Sequence, residues 1–210
     1  MTPLIEEGAL VLFQGDSITD CGRGREDDGA LGCGYAMIAS AWFSAAYPER
    51  GVRFLNRGIG GNRVAHLRER WQEDCIALAP DWVSIMIGIN DTWHGMGSGG
   101  GTPIEEWAAD YHHILTRVRE ELDARLILME PFLVPHPPDR AEWRPDLDPR
   151  IRVTRELARE FDALLVPLDG EFAQACARRG PASWAGDGVH PTPAGHALIA
   201  RAWLRTVGAI

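Results

Sequence analysis

The sequence lacks the long apolar run that a membrane-spanning helix needs, about 20 residues. Its first apolar run, Ala9 to Phe13, is far shorter. The opening segment Met1-Thr2-Pro3-Leu4-Ile5-Glu6-Glu7 has no basic region and no small-residue cleavage site. No export signal is legible, and a cytoplasmic location is expected. Basic charge is also short: 21 Lys and Arg face 30 Asp and Glu, a formal net charge of −9. Such a surface repels phosphate backbones and anionic lipid heads, so no nucleic-acid or membrane partner is expected. Cysteine is scarce and scattered. Cys21, Cys33, Cys75 and Cys176 form no C-x-x-C pair, and reduced thiols with a structural or incidental role are expected. Cys21 stands apart because it lies so near Ser17. Histidine and cysteine do not recur at ligand spacing, so no metal and no cofactor is expected.

What is present suits a globular domain. The chain has 210 residues, 45% of them hydrophobic. That suffices for one domain with a full core, over residues 1–210, and is short for two. Short apolar runs alternate with longer amphipathic ones. The runs Ala9–Gln14, Val52–Asn56, Trp82–Gly88, Arg125–Glu130 and Leu164–Leu168 predict strands. Several are apolar almost throughout, as a strand covered on both faces must be. Helices are predicted over Tyr35–Tyr47, Arg63–Leu78, Ile104–Leu122, Pro149–Phe161 and Pro193–Val207. Leu67, Trp71, Cys75 and Leu78 form one apolar stripe, and Asp148-Pro149 reads as an N-cap followed by proline at the first helical position. The alternation predicts an α/β/α sandwich around a five-stranded parallel sheet. Gly95–Thr102 and the proline-rich Pro131–Pro149 read as irregular segments.

Four clusters fall after strands or in the last loop, where open α/β sheets place their ligands. They are Gly15-Asp16-Ser17-Ile18-Thr19-Asp20, Asn56-Arg57-Gly58-Ile59-Gly60-Gly61-Asn62, Gly88-Ile89-Asn90-Asp91 and Asp187-Gly188-Val189-His190-Pro191. A serine on a strand-to-loop turn becomes a nucleophile if a base takes its proton. His190 is the natural base, and Asp187, three residues earlier, is close enough to orient its ring. The N–H groups of Ser17 and a glycine, with the Asn90 amide, suit an oxyanion. Each cluster alone also reads as a plain turn or cap. The glycine turn could be a phosphate loop, but it lacks the Lys-Ser/Thr ending and follows the second strand. It is the four together, in this order, that point to acyl transfer.

The clusters resemble blocks I, II, III and V of the SGNH (GDSL-like) hydrolases, from Phe13 to His190. The resemblance implies a flavodoxin-like three-layer fold and a serine esterase with Ser17 as nucleophile, His190 as base and Asp187 as its partner. It also implies an oxyanion hole of Ser17, Gly61 and Asn90. Ile18 stands where the family usually has leucine, and the G-x-S-x-G elbow of other hydrolases is absent. Gly15 to Arg23, Ala79 to Asp91 and His190 to His196 are similar to intracellular acetylxylan esterases of this superfamily. That implies acetylated xylo-oligosaccharides as the small-molecule substrate, and a homo-oligomer. In those relatives a tryptophan directly precedes the aspartate; here Trp184 is followed by Ala185-Gly186. Candidate substrate contacts are Asp16, Trp93, His94 and Trp184, with Asp16 alternatively bracing the serine loop. His112, His113 and His196 read as ordinary helix residues. Two other readings remain open. One is a lipid or aryl esterase or thioesterase. The other is a non-catalytic flavodoxin-like module binding a sugar or phosphate.

Overall fold

The computed structural model describes residues 2–98 and 100–210. Its centre is a parallel sheet of β1 (Leu10–Gly15), β2 (Arg53–Asn56), β3 (Trp82–Met86), β4 (Arg125–Met129) and β5 (Leu164–Val166), in the order β2-β1-β3-β4-β5. The helices among the described residues are α1 (Ser17–Asp20), α2 (Tyr35–Ala46), α3 (Val64–Asp74), α4 (Ile89–Ser98), α5 (Ile104–Glu121), α6 (Arg144–Glu160), α7 (Leu168–Arg178) and α8 (Pro193–Thr206). The strand order is that of flavodoxin-like sheets, which place ligands at the carboxyl ends of their strands.

Alternation along the strands builds the two faces. Val11, Phe13, Trp82, Met86, Ile127 and Met129 point to one side, where α2, α7 and α8 cover them. Leu12, Val83, Ile85, Leu126 and Leu128 point to the other, under α3 and α5. Helix α6 contributes Leu147 and Ile151 to the first side and Leu157 and Ala158 to the second. β1 and β3 are buried along their whole length, which explains why they read as unbroken apolar runs. The one hydroxyl within β3, Ser84, is not left alone. Its Oγ accepts from Trp203 Nε1 at 3.1 Å and donates to Met129 Sδ at 3.4 Å.

The structure differs from the sequence reading in four places. The stripe-bearing helix stops at Asp74, and Ile76–Leu78 tightens into a 3₁₀ turn. The start of the supposed irregular segment Gly95–Thr102 is helical, because α4 runs on to Ser98. Helix α7 is an element the sequence pattern does not predict: its acidic first turn and single glycine mask a short apolar stripe of Leu168, Phe172 and Ala175. Helix α6 begins at Arg144, with Pro145 in its first turn and Pro149 inside it. Pro149 has no N–H to give the carbonyl of Pro145.

Trp203 ties α8 to the sheet, fully buried against Phe13 with ring centroids 5.4 Å apart. Trp203→Ala removes that packing and the indole N–H that Ser84 Oγ accepts, leaving the hydroxyl only its bond to Met129 Sδ. Its unfolding free energy in urea is expected to fall by about 3–5 kcal/mol. A loss below about 1 kcal/mol would show that the layer packs without it.

Candidate active site

Ser17 follows β1 directly and opens α1. The turn is made by Asp16, whose Oδ1 accepts from the Ile18 N–H at 3.0 Å. The last loop brings the other two groups. Asp187 Oδ1 accepts the N–H groups of Val189 and His190 at 2.9 and 2.8 Å, and its Oδ2 lies 2.7 Å from His190 Nδ1. Partial burial works against its charge, but the hydrogen bonds from the His190 ring and from the two N–H groups outweigh that and hold the carboxyl below its usual range. An ionised Asp187 makes Nδ1 the protonated nitrogen. Nε2 is then left as an acceptor, 3.0 Å from Ser17 Oγ. The order carboxylate, imidazole, hydroxyl is the geometry of a serine nucleophile with its base.

The second and third clusters close on the serine. Asn56 donates from Nδ2 to the carbonyls of Thr19 and Leu31, and Asp20 Oδ2 accepts from Gly60 N–H at 3.0 Å. The glycine turn is thus sewn to α1. The N–H groups of Ser17 and Gly61 find no acceptor among the described residues. Asn90, near the start of α4, donates Nδ2 to the Asn62 carbonyl at 3.0 Å. Ser17, Gly61, Asn90 and His190 share one cleft of about 440 Å³ with Trp93, His94 and Gly97.

Of the candidate substrate contacts, Trp93 and His94 line this cleft. Trp93 stands 5.8 Å from the His190 ring, centroid to centroid, and 5.3 Å from Trp143. The other two are placed elsewhere. Asp16 is buried behind the serine, 1% exposed. Trp184 gives its Nε1 hydrogen to the Arg179 carbonyl and faces a separate cavity between α7 and α8. Trp184 directly precedes Ala185, which forms an antiparallel bridge with Pro191.

Two supporting sets escaped the sequence reading. Arg140, from the proline-rich segment, donates Nε to the Asp187 carbonyl at 2.9 Å and lies 4.3 Å from the Trp143 ring centre. Val134 N–H donates to the Gly188 carbonyl at 2.9 Å. Gly188 sits at φ +89°, and a Cβ there would strike the His136 carbonyl and Arg140. The loop of Asp187 and His190 is therefore clasped from behind by residues 134–140. The second set holds Asn90. Asp91 accepts from Thr102 Oγ1 at 2.8 Å, while Thr92 Oγ1 donates to Asp146 at 2.6 Å. The fully buried Arg150 donates to Thr92, Asp146 and the Thr102 carbonyl, joining both. Neither set carries a local motif; the proline content of residues 131–149 was the only hint.

Burial pushes the Asp16 carboxyl up to about 7, against the Ile18 hydrogen bond and the pull of His190. Its second oxygen, Oδ2, is buried without a partner. Between the ordinary value of 3.8 and about 7, the folded protein keeps a proton that the unfolded chain gives up. Stability from this residue is complete below that window and is lost as pH rises through it. Relative to Asp16→Asn, wild-type unfolding free energy should fall with rising pH, by at most about 1.4 kcal/mol per pH unit. Parallel pH curves for the two proteins, from urea titrations, would show Asp16 to be ionised throughout.

Residues 13–198 match the GDSL-like Lipase/Acylhydrolase family. An acetylxylan esterase of Geobacillus stearothermophilus is 40% identical over 212 residues, covering 97% of this chain and 96% of that protein. The crystal structure of an acetylxylan esterase from that organism agrees with a TM-score of 0.90 at 39% identity, over 98% of this chain and 96% of the other. Variants of it described as catalytic mutants replace a serine, an aspartate and a histidine with alanine. A GDSL-like lipase structure from Parabacteroides merdae agrees with a TM-score of 0.94 at 34% identity over the whole of both chains. With matches of this extent, the chain belongs to the GDSL-like lipase/acylhydrolase family.

Proposed function

We propose that the protein is a serine esterase that removes acetyl groups from carbohydrates, with acetylated xylo-oligosaccharides as the leading substrate. The observation that carries this reading is the unbroken relay Asp187–His190–Ser17 opening on a small cleft. Ser17 Oγ attacks the ester carbonyl as its proton passes to His190 Nε2. The Ser17 and Gly61 N–H groups and the Asn90 amide take the charge on the carbonyl oxygen. His190 protonates the leaving sugar oxygen, and the C–O bond to the sugar breaks. Water then gives a proton to His190 and releases acetate from Ser17. Trp93 offers an indole face at the cleft on which a sugar ring can stack. No cofactor enters this chemistry.

The likeness to acetylxylan esterases in sequence and fold supports the choice of substrate. The same reading takes residues 1–210 as one catalytic domain of a cytoplasmic homo-oligomer, acting on a small saccharide rather than on nucleic acid or membranes. A monomer mass by light scattering at micromolar concentration would remove the oligomer from it.

Acetate release from a panel of acetylated saccharides, beside a chain-length series of p-nitrophenyl esters, tests the assignment. Acetyl esters should be cleaved far faster than octanoyl esters; equal rates would make this a lipid esterase. Ser17→Ala should abolish turnover and labelling by a fluorophosphonate while the circular dichroism stays native. Asn90→Ala should lower kcat by ~10²–10³ with little change in KM. A raised KM at constant kcat would make Asn90 a binding residue instead.

A further inference from the structure

Two of the four cysteines meet outside the cleft. Cys21 closes α1 in a left-handed conformation, φ +36°, and Cys33 ends the loop that leads to α2. Their sulfurs are 3.6 Å apart, with Cys33 exposed and Cys21 half-buried. The contact is built rather than incidental. Cys33 gives its N–H to the Cys21 carbonyl at 2.9 Å and its thiol to the same carbonyl at 3.1 Å. Gly34 makes room for the pair: a Cβ there would come within 2.7 Å of Cys21 Cβ and 2.9 Å of His196 Cε1.

His196, in the first turn of α8, completes the cluster. Its Nδ1 accepts the Tyr35 N–H at 3.1 Å, so the ring proton is on Nε2, 3.4 Å from Cys21 Sγ. Burial pushes His196 down to about 4, which keeps the ring neutral near pH 7. Hydrogen bonds therefore run in one direction, from His196 to Cys21 to Cys33 to the Cys21 carbonyl. Burial, and then the neighbouring Cys33, push the Cys21 thiol up to about 11. Exposure makes Cys33 the sulfur that an oxidant meets first.

We propose that Cys21 and Cys33 form a modification site at which a hydroperoxide makes an intramolecular disulfide. The Cys33 thiol gives up its proton as its sulfur attacks a peroxide oxygen; the S–O bond forms, the O–O bond breaks, and the other oxygen takes up that proton and leaves as water. Cys33 is then a sulfenic acid. Cys21 sulfur attacks it, with His196 Nε2–H facing the developing charge; the S–S bond forms and the S–O bond breaks. The departing hydroxide takes the Cys21 proton and leaves as water. In sum, two thiols and one hydrogen peroxide give one disulfide and two waters. The sulfurs have to close from 3.6 Å to about 2.05 Å, which side-chain rotation away from His196 supplies. This inference stands whether or not the ester chemistry is as proposed.

The full chain is treated with stoichiometric hydrogen peroxide, alkylated, and digested with trypsin without reduction. The expected product joins peptide 1–23, ending at Arg23, to peptide 26–50, ending at Arg50. Intact mass should show a monomer lacking two hydrogen atoms, restored by dithiothreitol. Cys33→Ser, an exposed change, should abolish the cross-link. Cys21→Ser should leave Cys33 as a sulfenic acid that dimedone traps and that a second equivalent of peroxide takes to sulfinic acid. Three results would overturn the proposal: sulfinic acid at Cys33 in the wild type, a bond between two chains, or both thiols still alkylated after treatment.

Discussion

Five parallel strands must all end on the same rim, and that constraint shapes everything else in the molecule. The central strands β1 and β3 are buried along their whole length, so their sides have no room for solvated polar groups. Side chains that carry chemistry are driven to the places where the chain leaves the sheet. Ser17 follows β1, the Gly61 turn follows β2, Asn90 follows β3, and the Arg140 segment follows β4. The loop of Asp187 and His190, between α7 and α8, arrives beside them. Convergence is thus a property of topology before it is one of sequence. Loops that close together have to bond to one another, and they do: Asp20 holds Gly60, Asn90 holds Asn62, and Arg140 holds Asp187.

How much of this was legible follows from the range of the interactions. β1 and β3 announce themselves because burial on both faces leaves only apolar residues. Ser17, Asn90, Asp187 and His190 were legible because turn chemistry is local. The Asp187–His190 contact is three residues long in sequence, and Asp16 caps a turn two residues away. Trp184 is near Asp187 and His190 in sequence but lines the cavity between α7 and α8, a placement that nearness along the chain does not reveal. Arg140 was unreadable for the opposite reason, reaching its target 47 residues onward. Asp148-Pro149 has the residues of a helix start, but Arg144 and Pro145 open the helix one turn earlier.

The buried polar groups are concentrated behind the site. Arg150, Asp91, Thr92 and Thr102 are all buried and bonded to one another or to Asp146. A buried charge without such partners costs several kcal/mol, on the order of the stability of a whole domain. Their arrangement locks the start of α4, and with it the direction of the Asn90 amide. Rigidity of this kind matters most where a donor must meet charge that exists only in a transition state. Arg150 Nη1 and Asp16 Oδ2 are nonetheless buried without a partner among the described residues, and burial raises the Asp16 carboxyl.

Ser17 and His190 are joined by a hydrogen bond across 173 residues of sequence. Contacts of such range are among the last a chain can afford entropically, since the loop between them has to be closed first. The bond therefore exists only when sheet, helices and crossovers have all found their places. A single proteolytic nick anywhere between the two residues leaves Ser17 and His190 on separate fragments, held together by packing alone. Turnover by this protein would then be a gauge of its own architectural integrity, read at one pair of atoms.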